Sequence, residues 1–307
     1  MKDKSRTKKQ KYASMQEIGK EVLGKLKSSL KKEESPVDEG QIEKLQPEDF
    51  KLEHTTLWSF QKRGDWATHK GDFRGNWMPQ IPRNLILRYS KVGDTVLDPM
   101  VGSGTSLIET KITGRNGIGL DIDPGALLVA MSRLEFDAKN EDIPESSQKV
   151  YLGDARRLDL IDNESVDLVL IHPPQPDYIG NVDGKNSSDI SFVSSFDEYC
   201  AELKQVAKEA FRVLRPDKYC SIFVGDTRRH KHFVPISHRV LQDFLDVGFV
   251  LKEDVIKKQW NCSQSGFWAR RSKRDNFLLI SHKHLYVFRK PDGEEDLSKL
   301  ENSTKWW

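Results

Sequence analysis

The chain has 307 residues, enough for one large domain or two small ones, and its 49 lysines and arginines nearly balance its 47 acidic residues. A net charge of +2 excludes a uniformly basic or acidic protein. No apolar run is long enough to span a bilayer or act as a secretory h-region, so a cytoplasmic protein is expected.

Residues 1–49 differ in composition from the rest. Lys2, Lys4, Arg6, Lys8, Lys9 and Lys11 have almost no apolar partners, which predicts disorder. Such a segment is either a solvated tail or a basic arm that adds affinity for phosphate backbones. Met15, Ile18, Val22, Leu23, Leu26 and Leu30 recur at helical spacing and predict an amphipathic helix. From His54 to Gly75, aromatics alternate with cations: Trp58, Phe60, Lys62, Arg63, Trp66, His69, Lys70, Phe73 and Arg74. This is either a platform for stacking bases or a lid packed on the domain with Trp58 and Trp66 in the core. Pro82 suits the first turn of a helix whose buried face carries Leu85, Ile86 and Tyr89.

The short apolar run Thr95-Val96-Leu97 leads into Asp98-Pro99-Met100-Val101-Gly102-Ser103-Gly104-Thr105 and then into a helical pattern, Leu107, Ile108, Lys111, Ile112. Strand, glycine turn and helix open a Rossmann-like α/β sheet, and the glycines let backbone approach a ligand closely. The third glycine of a dinucleotide fingerprint is missing at Leu107, which disfavours a nicotinamide oxidoreductase. Gly117 to Asp121 reads as a second buried strand ending in an acid that can accept bonds from ribose hydroxyls. Asp123 suits the N-cap of a helix from Pro124 to Phe136. Val150 to Arg156 reads as a third strand ending in Gly153-Asp154, and Val166 to Ile171 as a fourth, followed by His172-Pro173-Pro174-Gln175.

The pair Asp-Pro-x-x-Gly-Ser-Gly-Thr and x-Pro-Pro-x resembles the amino-methyltransferases of nucleic acids, which act on adenine N6 or cytosine N4. The resemblance runs from about Thr55 to Lys290 and implies a class I methyltransferase fold, a mostly parallel seven-stranded sheet with helices on both faces. It implies S-adenosyl-L-methionine as cofactor, held by Asp98, Pro99, Met100 (Phe in the family), Gly102, Ser103, Gly104 and Thr105. Asp121 would then hold the ribose, and Asp154 with Ala155 the adenine. Pro79 to Asn84 would lie near the cofactor carboxylate, with Arg83 as its cation. The Pro-Pro segment would hold a base turned out of its helix. There His172 and the Pro173 carbonyl accept hydrogen bonds from the target amine, next to Pro174. The family's aromatic is replaced by Gln175, and Tyr178 is the ring that can take its place. No metal is expected, and Cys200, Cys220 and Cys262, lacking Cys-x-x-Cys spacing, predict small buried thiols.

Phe196 to Leu214 predicts a long helix, Tyr219 to Gly225 a fifth strand, and Val234 to Val247 another helix. Val250 to Trp260 and Leu285 to Arg289 predict an antiparallel closing pair. Two basic stretches are candidates for nucleic-acid contact. One is the loop after the fifth strand, with Arg228, Arg229 and Lys231. The other runs from Cys262 to Asn276, with Trp268, Arg270, Arg271, Lys273 and Arg274. The expected organisation is an extension over 1–49, a methyltransferase domain over 50–293 and a tail over 294–307. The implied function is methylation of an exocyclic base amine in DNA, which the Gly-Ser-Gly-Thr form favours. RNA or tRNA base methylation stays open. So does a catalytically silent subunit that binds cofactor and nucleic acid.

Overall fold

The computed structural model describes residues 12–19, 22, 24, 42–137, 143–176, 189–260 and 265–305. The main sheet contains β1 (Gln16–Glu17), β2 (Leu57–Trp58), β3 (Thr95–Asp98), β4 (Asn116–Asp121), β5 (Gln148–Leu152), β6 (Val166–Ile171) and β7 (Leu214–Val224), together with the later β10 (Val250–Lys258) and β11 (His282–Arg289). Between them, β8 (Thr227–Arg229) and β9 (His232–Val234) form a separate hairpin. The main sheet's order is β1-β5-β4-β3-β6-β7-β11-β10-β2. Strands β5, β4, β3, β6 and β7 are parallel, and β11 runs antiparallel to both β7 and β10. The fold is therefore the expected α/β architecture, but with nine strands. The two additions, β1 and β2, are edge pairings of two residues each, too short to leave a period-2 pattern in sequence.

Alternating side chains on the central strands feed two apolar layers. Leu97, Val169, Ile171, Cys220, Ile222, Tyr286 and Phe288 face one core cluster. Against it pack the amphipathic α4 (Phe196–Val213) and α5 (Ile236–Val247). Val96, Leu168, Leu170, Phe223, Leu285 and Val287 enter the other cluster with Ile81, Leu85 and Ile86 of α1 (Gln80–Tyr89). Residues Val166–Ile171 are buried throughout, as a central parallel strand covered on both faces requires. Between β3 and β4 lies α2 (Thr105–Ile112), and after β4 comes α3 (Pro124–Leu134). The stretch read as basic and aromatic contains α6 (Ser265–Asp275). No helix among the described residues is long and apolar enough to cross a membrane.

The helix expected from Met15 does not form over 15–19. Gln16–Glu17 instead pairs antiparallel with β5, Met15 and Ile18 are buried, and the Ile18 amide donates to the Val150 carbonyl at 2.9 Å. An open sheet edge offers backbone groups that an extended segment satisfies and a helix cannot. Ile42 and Leu45 likewise pack around Trp66, so parts of the region read as an extension belong to the folded body. The basic residues from Lys2 to Lys11 lie outside the described residues, as do Leu23, Leu26 and Leu30. Cys200 and Cys220 are buried, and burial pushes the Cys200 thiol up to about 12; Cys262 lies outside the described residues.

A buried polar knot ties the segment before the sheet to α2. Glu109 is fully buried in α2. It accepts from Trp66 Nε1 at 2.7 Å, lies 2.7 Å from His69 Nε2 and pairs with Arg83 at 2.9 Å. Desolvation keeps the His69 pKa below its ordinary value, which leaves the ring neutral and Nε2–H free to donate. Trp58 and Trp66 are core residues, as the lid reading of this segment expected. Removing one member of a buried charge pair strands the other, so Glu109→Ala is expected to destabilise the fold by about 3–5 kcal/mol. Urea unfolding checks this; an unchanged midpoint would refute the role given to the knot.

Candidate active site and nucleic-acid interface

Chain direction puts the functional segments in one place. From β3 the chain moves to β4 and β5 on one side, and from β6 to β7 on the other, so β3 and β6 flank the point where strand order reverses. A cavity of about 590 Å³ opens beyond the carboxyl ends of these strands, within the range of small-molecule sites. Its walls take Pro99, Met100, Gly102, Ser103 and Thr105 from the turn after β3, and Asp121 from the end of β4. Asp154 and Ala155 follow β5, and His172, Pro173, Pro174 and Gln175 follow β6.

The turn after β3 is held from below. Asp98 is buried and off the cavity wall, and its carboxylate accepts from the Met100 amide and the Ser106 hydroxyl. Burial raises its pKa to about 7. Gly104 also lies off the wall. It adopts φ 83°, and a Cβ there would stand 3.0 Å from the Ala130 Cβ, so glycine lets α2 and α3 meet. Asp121 accepts from the Gly102 and Asp123 amides, both at 2.9 Å, and burial raises its pKa to about 6. Asp123 caps α3 as expected, accepting from the Gly125 amide.

Besides Asp98 and Gly104, two more of the expected assignments change. Arg83 does not line the cavity; Glu109 and Gln46 hold it in the buried knot, because α1 points that face towards α2. The segment before the sheet meets the cavity slightly earlier than expected, through Phe73 to Trp77 and not through Pro79 to Asn84. Asp154 reaches the wall, but Arg156 occupies most of its capacity: the backbone amide and Nε donate to Oδ1, and a terminal nitrogen donates to Oδ2.

His172 is half-buried between Trp77, stacked at 5.4 Å between ring centroids, and Phe223, tilted at 5.1 Å. Its Nε2 lies 3.5 Å from the Lys283 ammonium. Desolvation first, and the neighbouring cation second, hold its pKa well below the usual histidine value, so the ring is neutral at physiological pH. Gln175 Nε2 and the Lys283 stem both approach Gly225 so closely that a Cβ there would lie 3.1 Å from each. The Pro174 carbonyl is taken by the Tyr199 hydroxyl at 2.8 Å, which fixes the Pro-Pro turn. Tyr178 lies outside the described residues. Sequence reasoning missed Lys283, Trp77 and Thr227 as wall residues. A lone lysine at the start of a strand carries no motif; Trp77, an aromatic just ahead of the glycine-turn unit, was the one available signal.

Both basic stretches stand at the same edge, since β10 runs in the direction of β7 and delivers α6 there. Lys231 lies 3.5 Å from Asp275, and Arg228 Nε donates to the Leu278 carbonyl, so hairpin and helix form one projection. Arg229, Arg270, Arg271, Lys273 and Arg274 are exposed on it. Trp268 is 39% exposed, with the Arg271 guanidinium 5.1 Å from its ring. Thr227, at the root of the hairpin, lies on the cavity wall.

Comparison with known proteins gives this geometry a family. A family model described as DNA methylase matches residues 3–132 and 166–305. The chain belongs to that DNA methylase family. The match includes the glycine turn, the Pro-Pro turn and Lys283, and leaves out 133–165, where Asp154 lies. Among curated relatives, the Type II methyltransferase M.MjaII of Methanocaldococcus jannaschii is 38% identical over 63 residues, 20% of this chain and 12% of that protein. The Type II methyltransferase M2.DpnII of Streptococcus pneumoniae is 47% identical over 57 residues, 19% of this chain and 20% of that one. The chain thus spans a fifth or less of the length of these relatives. Among solved structures, a SAM-dependent methyltransferase from Methanosarcina mazei superposes with a TM-score of 0.46 at 16% identity, covering 67% of this chain and 97% of its own.

Replacing Lys283 with methionine removes the positive charge facing His172. The imidazole pKa is then expected to rise, while desolvation still keeps it below the usual value. NMR titration of the ring resonances measures the shift, and an unmoved or lowered pKa would refute the coupling.

Proposed function

We propose that this DNA methylase family member binds S-adenosylmethionine in the cavity at the strand reversal and transfers its methyl group to an exocyclic amine of a DNA base. The observation that carries the reading is convergence: the glycine turn, the Asp121 carboxylate and the His172-Pro173-Pro174 turn share one cavity wall. The residues present fit the cofactor. Asp121 has acceptor capacity left for ribose hydroxyls after its two amide bonds, and the turn before α2 presents backbone amides to an anionic group.

When bound, the cofactor supplies an electrophilic methyl group. A base amine is a poor nucleophile because its lone pair is delocalised into the ring, so the protein must draw that pair out and aim it. His172 serves this as a neutral acceptor, held by its stack on Trp77 and kept unprotonated by burial and Lys283. The Pro173 carbonyl is a second acceptor, independent of side-chain chemistry. The proton released from the methylated amine is strongly acidic, so a weakly basic imidazole suffices to take it. Trp77 and Phe73 provide aromatic surface that Gln175 does not. The projection of hairpin and α6 supplies cations for the phosphate backbone and Trp268 for stacking.

The test is transfer of labelled methyl groups from S-adenosylmethionine to unmethylated DNA and, separately, to total tRNA. Label in DNA supports the proposal; label in tRNA alone selects the RNA reading. Cofactor binding without label in either selects the silent subunit, which the replacement at Gln175 favours. His172→Ala is expected to lower kcat roughly 100-fold or more, as for loss of a proton-handling group, with little change in cofactor Kd. Asp121→Ala is expected to weaken cofactor binding by about 1.5–3 kcal/mol, roughly ten- to hundredfold. Because ionised Asp121 is the stronger acceptor, cofactor affinity should be highest well above pH 6 and fall as pH drops through about 6. Calorimetry across pH measures this, and a flat profile would count against the ribose role. Arg270→Ala with Arg271→Ala should weaken DNA binding and reduce its salt dependence by about one unit of slope per lost phosphate contact.

A further inference from the structure

Among the described residues, one cluster of metal-ligating side chains lies outside the cavity. Asp226 stands two residues beyond Val224, and Val224 pairs with His284 across the β7–β11 ladder. Continuing that antiparallel register sets His282 opposite Asp226. Residues two apart on a strand share a face, and directly opposed residues on neighbouring strands have adjacent side chains. Asp226, His282 and His284 therefore converge, and one potential ligand atom from each lies within 4.8 Å of the others. Lys283, between the two histidines, belongs to the opposite face and reaches His172.

The environment suits a cation. Asp226 is 8% exposed and makes no ion pair among the described residues; its oxygens receive only the neutral Ser237 amide and hydroxyl, at 2.8 and 2.9 Å. A buried carboxylate normally needs a positive partner, and here two imidazoles face it instead. His284 is also buried, and its Nδ1 lies 3.0 Å from Asp254 Oδ1. That contact fixes the tautomer and orientation of a ligating histidine and leaves Nε2 to coordinate. His282 is half-buried, which leaves a path from solvent.

We propose that Asp226, His282 and His284 form a zinc site that joins the root of the β8–β9 hairpin to the start of β11. Two imidazole nitrogens and one carboxylate oxygen match a zinc site with three protein ligands and one position left for water. The same set disfavours magnesium and calcium, which take oxygen ligands. The ion would sit beside Thr227 and Lys283 in sequence, both on the cavity wall, and so hold two wall elements in register without touching the reacting atoms.

The experiment uses the untagged full chain, stripped with a chelator and titrated with Zn2+ against a chromogenic indicator of micromolar affinity. The expected result is one ion bound per chain. NMR of the wild-type protein should show zinc shifting the ring signals of His282 and His284 among the eight histidines. His282→Ala with His284→Ala should abolish the binding, and Asp254→Asn should weaken it about ten- to hundredfold. His230→Ala with His232→Ala should leave it intact. Failure of the wild-type protein to bind a stoichiometric ion would overturn the proposal without any variant. So would zinc-induced shifts confined to other histidines, or binding that persists in the His282/His284 double variant.

Discussion

Parallel strands that share a sheet must all end at the same edge, and this constraint organises the molecule. Asp98, Asp121, Leu152, Ile171 and Val224 close five parallel strands, and each hands the chain to a segment at the cavity or beside it. Reversal of strand order between β3 and β6 leaves a crevice there, because the connections that leave β3 and β6 depart in opposite directions. The closing pair, β11 and β10, preserves the effect. β10 brings α6 to the same edge, and β11 starts there, which puts Lys283 on the wall.

Burial sets the electrostatics of that edge more than charge pairing does. Asp98 and Asp121 are held by amide and hydroxyl donors, and desolvation raises both pKa values towards neutrality. His172 is shifted the opposite way by the same cause, aided by Lys283. The neutral imidazole keeps an acceptor lone pair on the same cavity wall as Asp121. Arg74, Arg156 and Lys283 line the cavity, and a further group of cations stands outside it on the exposed hairpin and α6. The exposed cations of the hairpin and α6 are thus set apart from the acceptors on the cavity wall.

The wall built by Phe73 to Trp77 depends on a remote anchor. Glu109 of α2 gathers Trp66, His69 and Arg83, so the segment before the sheet is pinned within a few residues of the cavity. Arg83 therefore serves the anchor instead of a ligand. A cation in a promising stretch of sequence was claimed by a buried carboxylate one helix away.

Local chemistry explains what was readable without coordinates. The turn from Asp98 to Thr105, the acid at Asp121, the cap at Asp123 and the Pro-Pro turn are defined by residues adjacent in the chain. Their backbone demands are written in glycine, proline and carboxylate spacing. Core strands such as Val166–Ile171 were equally legible, since burial on both faces requires a continuous apolar run. Tertiary structure alone decided the rest. Residues 16–17 became an edge strand because β5 offered an open edge to helical-looking sequence. Lys283 met His172, and His282 and His284 met Asp226, through a ladder register joining residues more than fifty positions apart. Sequence spacing cannot encode such contacts, because pleat and register choose which side chains share a face only after the strands have paired.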